Sequence, residues 1–162
     1  MQTINGLPAH VLLVHAVVVL LPLAAVLLVL TAVWPAARRR LSGPNAVLAL
    51  LVVILVPITT SAGEWLEGRV ADNSLVRRHA ELGDTAIYAA IAIAALAVIV
   101  WWRERHLDST PARGRDLAPR SSAVTAVVAV VACLVSSMAV VDVVKIGDSG
   151  AQASWSTWSS HQ

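Results

Sequence analysis

Residues 9–34 read AHVLLVHAVVVLLPLAAVLLVLTAVW, and no Asp, Glu, Lys or Arg interrupts them. At about 1.5 Å of rise per residue such a helix is ~39 Å long, enough to cross a hydrocarbon layer of roughly 30 Å. A lone strand of this length would leave its backbone groups unpaired in lipid, and the alternation of a closed barrel is absent, so a helix is the form that fits. The run is also far longer than a signal-peptide core, and no Lys or Arg precedes it in the first ten residues, so the sequence predicts a retained span.

Three more spans follow from the same reading. Pro35 stops the first, and Ser42-Gly43-Pro44-Asn45 predicts the start of the second, because proline is tolerated in a first helical turn. The spans are placed at about 9–34, 45–62, 82–102 and 122–144, with a polar tail over 145–162. Gly63 to Arg69 and Ser74 to Glu81 keep a composition that extends the flanking helices. The expected fold is all-α, a single-domain integral membrane four-helix bundle running up-down-up-down.

Basic residues predict the orientation. The connections after spans one and three carry Arg38, Arg39, Arg40, Arg103, Arg105, Arg113, Arg115 and Arg120, against Arg69, Arg77, Arg78 and Lys145 on the other side. Eight against four places the first group in the cytoplasm and both termini outside it, as a multi-pass protein of the cell membrane. Trp34, Trp101 and Trp102 then fall at the inner interface, and Trp65, Trp155 and Trp158 at the outer one, where indoles prefer to sit.

Composition excludes several classes. With 57% hydrophobic residues in 162, the chain is too apolar for a soluble domain of its size. A net charge of +2 does not argue for nucleic acid, and the single Cys133 rules out an internal disulfide. No nucleophile–base motif supports an enzyme.

The polar residues are unevenly placed. The inner halves of the spans are nearly pure Val, Leu, Ile and Ala, whereas the outer halves hold His10, His15, Thr59, Thr60, Ser61, Glu64, His79, Asp84, Ser136, Ser137 and Asp142. Counted from the inner ends, His15, Glu64, His79, Asp84 and Asp142 all fall ~25–33 Å along their helices, within one turn or so of a common level. Ionisable groups at membrane depth usually face a protein interior or a wet cavity. His10 and His15 differ by five residues, about 140° of rotation, so one of them is expected to face inward. His15 is the deeper and is the predicted inward one. His79 shares a stripe with Gly83, Ala86, Ala90 and Ala94, a small-residue face suited to close helix contact. Pro57 interrupts the second span, with the hydroxyls of Thr59, Thr60 and Ser61 placed to compensate the backbone.

The segments Leu7-Pro8-Ala9-His10 through His15, Gly63-Glu64-Trp65-Leu66-Glu67, Val76-Arg77-Arg78-His79-Ala80-Glu81-Leu82-Gly83-Asp84 and Ile146-Gly147-Asp148-Ser149-Gly150-Ala151 with Trp155 resemble a bacterial inner-membrane family catalogued as domain of unknown function 2231, and most of all its actinobacterial branch. Many relatives carry Pro after the first His and Phe-Pro after the second, where this chain has Val11, Ala16 and Val17. The resemblance implies a four-helix membrane protein. Some relatives are joined to cytochrome-type domains, which implies a link to redox chemistry.

Four functional readings follow. The chain reads first as an accessory or structural subunit of a membrane complex, self-associated or joined to a larger assembly. A second reading is a redox protein binding b-type haem through His15 and His79. A third is a transition-metal site of His15, Glu64 and His79, with Asp84 and Asp142 as further ligands or supporting carboxylates. Transport or proton conduction needs a polar path through the inner halves, which offer only Thr31 and Thr125. His10, His106 and His161 read mostly as solvated side chains.

Overall fold

The computed structural model describes residues 3–4, 6–70, 73–109 and 122–155. Trp158, His161, Arg113, Arg115 and Arg120 lie outside them. Two short strands, β1 (Thr3–Ile4) and β2 (Leu7–Pro8), pair antiparallel ahead of the first helix, with Thr3 opposite Pro8. Gly6, between them, adopts a φ of 81°, a conformation that glycine reaches without a steric penalty. Four helices follow: α1 (Ala9–Val33), α2 (Pro35–Glu67), α3 (Ser74–Ser109) and α4 (Ser122–Trp155). All four are long and apolar enough to cross a membrane.

Three boundaries differ from expectation, and one of them is the end of α3, which runs past Trp102 through Arg103 and Arg105 to Ser109 where a connection is expected. The second helix begins at Pro35 rather than Asn45, so only Trp34 separates it from α1. Pro35 opens a helix as well as Pro44 does, and Ala36 through Leu41 are strong helix formers, so the arginines join the helix instead of a loop. Trp34 is extended (φ −113°, ψ 112°), the conformation favoured before proline. Its N–H donates to Leu30 O at 2.9 Å, and its carbonyl accepts from Arg38 N at 2.9 Å. The fourth helix runs past Val144 to Trp155, so the first part of the predicted tail is helical.

Each helix packs against the next, and α4 closes back on α1. Leu21, Leu28, Val52, Val56 and Ile93 are fully buried at the centre, among alanines such as Ala24, Ala25, Ala90 and Ala132. Small side chains let the backbones approach, which drives helix association where lipid removes the usual hydrophobic gain. Val19, Val47, Ile54, Val127 and Leu134 point outward, as lipid-facing residues should.

Polar groups tie the helices together at intervals. Ser136 Oγ donates to Ala25 O at 3.1 Å, linking α4 to α1. Asn45 is fully buried, and the amide orientation that satisfies both its ends donates to Ala24 O at 3.3 Å and accepts from Leu28 N at 3.2 Å. Arg38 donates from Nε to Thr31 O at 2.9 Å and from Nη2 to Ala32 O at 2.7 Å, satisfying carbonyls at the end of α1. Asn45→Ala should lower stability by about 1–2 kcal/mol, since it removes a buried interhelical amide and leaves a small void. Reversible unfolding in mixed detergent micelles measures this, and an unchanged midpoint would show that the amide contributes nothing.

Candidate functional site: a histidine pair at one end of the bundle

The histidine end of the bundle is built from the start of α1 and α3 and the end of α2 and α4. His10 lies on the buried stripe of α1 that continues through Val17, Leu21, Ala24 and Leu28. His15 lies on the opposite side, with Val19 and Val26, and is exposed. The expected choice between the two is therefore reversed. Depth favoured His15, but the helical register with Ala24, Ala25 and Leu28 decides which face is covered. The His15 ring hydrogen bonds through Nδ1 to the carbonyl of Val11 in its own helix, which fixes it outside the bundle.

His10 Nδ1 lies 3.0 Å from Thr59 O on α2. A carbonyl only accepts, so Nδ1 carries a proton, and in the neutral ring the lone pair is on Nε2. Gly63, one turn beyond Thr59, gives the ring its place. A Cβ there would lie 3.0 Å from His10 Cε1 and Nδ1.

The same construction recurs on the other two helices. His79 Nδ1 lies 3.0 Å from Ser149 Oγ on α4, and Ser149 Oγ donates its own proton to Ile146 O at 2.8 Å. The hydroxyl is thus left to accept from His79 Nδ1–H, and Nε2 again holds the lone pair. Gly150 makes the space, for a Cβ there would lie 3.0 Å from His79 Cε1.

The two rings meet across the bundle with centroids 6.2 Å apart and planes at 74°. Beside them lies a cavity of about 50 Å³ whose walls include Val14, Val56, Thr59, Gly83 and Val143 as well as both rings. The α3 face below His79 is the predicted small-residue stripe, with Ala86, Ala90 and Ala94 buried.

The remaining predicted ligands do not converge here. Glu64 and Asp84 are exposed, and Asp142 accepts from Thr85 Oγ1, with contacts of 3.2 and 3.3 Å to its two oxygens. Among the described residues no group of three or more His, Cys, Asp or Glu is placed to hold a metal ion. The set of His15, Glu64, His79, Asp84 and Asp142 is therefore not brought together, because Glu64 and Asp84 sit on outward faces of α2 and α3. Haem between His15 and His79 does not fit either. His15 faces away, and the space beside His79 is far smaller than a porphyrin.

His10, Gly63, Ser149 and Gly150 complete the site, and the sequence reading had not singled them out as site residues. The register of the buried alanines on α1 was the available signal for His10. The glycines carried none, since a Gly in a helix reads first as a weak former.

At the arginine end, Arg103 is buried and donates from Nη2 to Thr125 Oγ1 at 3.3 Å, near Arg38. Arg105 stacks over Trp101, with 5.5 Å from its guanidinium carbon to the ring centroid. His106 packs edge-on against Trp102, with centroids 4.5 Å apart.

No curated protein and no solved structure matches the chain. A family model described as "Predicted membrane protein (DUF2231)" matches residues 6–159. That match covers nearly the whole chain, including all four helices and both histidines of the pair, and the protein accordingly belongs to the DUF2231 family of predicted membrane proteins.

Proposed function

We propose that this protein is an accessory subunit of a membrane assembly, docked through the outward face of α3 and α4. The observation that carries this reading is a polar stripe on that face. Tyr88 is 73% exposed although it lies fourteen residues, about 21 Å, from Trp102 at the other end of the span. Asp84 and Thr85 are exposed just above it, and Asp142 is half-buried beside them on α4. Polar and ionisable groups at such depth are costly against lipid and normally face protein or water. A single copy leaves this stripe to the hydrocarbon, and a neighbouring protein helix supplying hydroxyl or amide donors would cover it.

The arrangement of basic residues supports an up-down-up-down bundle with both chain ends outside the cytoplasm, which puts the histidine pair at the extracytoplasmic surface. Transport is the weaker reading, because Leu21, Leu28, Val52 and Ile93 fill the bundle axis.

The assembly is tested by measuring the mass of the full chain in lipid nanodiscs and by disulfide trapping through Met138→Cys in a Cys133→Ser background. Met138 is 72% exposed on the same face. An assembly larger than one chain, trapped at position 138 and loosened by Asp142→Leu, is expected. A monomer in native lipid that Asp142→Leu leaves unchanged would overturn the reading.

A further inference from the structure

The geometry points to a site for a single monovalent coinage-metal ion, Cu(I) in the cell, held between Nε2 of His10 and Nε2 of His79. Hydrogen bonding assigns a proton to Nδ1 of each ring, so that in the neutral imidazole form the lone pairs lie on Nε2. A ligating imidazole typically has this arrangement, in which the other ring nitrogen donates to a carbonyl or hydroxyl that fixes tautomer and orientation. Thr59 O does this for His10 and Ser149 Oγ for His79.

Two metal–nitrogen bonds of about 2.0–2.1 Å, with roughly 1 Å more from each nitrogen to its ring centre, put two rings about 6 Å apart across one ion in a near-linear arrangement. The rings are 6.2 Å apart. A cavity of about 50 Å³, walled almost wholly by apolar groups, lies beside the two rings.

The choice of ion follows from the surroundings. Zn(II) prefers four ligands in a tetrahedron, and a divalent charge in an apolar cavity needs anionic partners. The walls supply Val14, Val56 and Val143, while Glu64 and Asp84 are exposed elsewhere. A d¹⁰ monovalent ion is satisfied by two collinear nitrogen donors and carries half the charge to be desolvated. Imidazole is an established ligand for copper. This site does not depend on the assembly proposed above. It lies on α1 and α3 around a cavity, not on the polar outward stripe.

The test uses the full chain in detergent micelles or nanodiscs, titrated with Ag(I), an air-stable stand-in, and with Cu(I) under ascorbate against a chromophoric Cu(I) chelator. One ion per chain is expected. His10→Ala and His79→Ala should each abolish stoichiometric uptake, and His15→Ala should leave it intact. Ser149→Ala should weaken binding by about 10–100-fold, the usual cost of losing a hydrogen-bond partner behind a ligand. Because the alanine variants could disturb folding, ¹⁵N-histidine spectra of the unmutated chain give a second readout. Ag(I) should shift Nε2 of two histidines and leave their Nδ1 resonances nearly unmoved. The proposal fails if the unmutated chain takes up no ion, if the shifted rings are His15 or His106, or if Zn(II) competes on equal terms with Cu(I).

Discussion

Leu28→Ala should destabilise the bundle by about 2–5 kcal/mol, the range found when a large buried aliphatic side chain is cut back to a methyl group. Leu28 is 0% exposed and belongs to the central cluster with Leu21, Val52 and Ile93. In a bilayer the loss is chiefly one of packing, because lipid tails solvate leucine as well as a protein core does. The cost is set by how far the neighbours can collapse into the void. Leu28 N–H also donates to the amide oxygen of Asn45, so the backbone here is pinned and collapse is restricted. Reversible unfolding in mixed micelles gives the number. A loss under about 1 kcal/mol would mean that the centre of the bundle is loosely packed.

Gly150→Val is expected to have the second largest effect, with Gly63→Val as its counterpart on the other helix pair. The first added carbon already stands 3.0 Å from the ring of His79 or His10, tighter than ordinary contact, and the valine methyls would close on it further. Overpacking of this kind costs about 1–3 kcal/mol, and β-branching gives it little freedom to turn away. The ring must leave, and with it the bond to Ser149 Oγ or Thr59 O. Histidine side-chain NMR should report the loss of the Nδ1–H hydrogen bond in the affected ring alone. Wild-type stability together with an intact bond would show that the helices can separate at this level without penalty. Gly150→Ala should be milder, because one methyl group asks the ring to move only a few tenths of an ångström.

The four helices were legible because lipid imposes an unambiguous rule: about twenty apolar residues, and every backbone group paired within the helix. The ends were less so. Pro35 and Pro44 are equally good helix openers, and nothing local says that Arg38, Arg39 and Arg40 belong to a helix whose first turns satisfy the carbonyls of the one before. The polar level near the chain termini was visible as composition, but composition does not say which way a side chain points. His79 could be read onto a packed face because it shares a stripe with Gly83, Ala86, Ala90 and Ala94, of which the three alanines are buried. His15 was preferred to His10 by depth, although the two differ by 140° of helical rotation and the buried register of Val17, Leu21 and Ala24 belongs to His10. Gly63 and Gly150 could not be read at all, since their role is to leave room for a ring that approaches from another helix.

The single extended residue between α1 and α2 has a consequence for biogenesis. With only Trp34 as a link, the first helix cannot finish its entry into the bilayer and wait while a long tether is spooled out behind it. The two are therefore expected to enter as a hairpin.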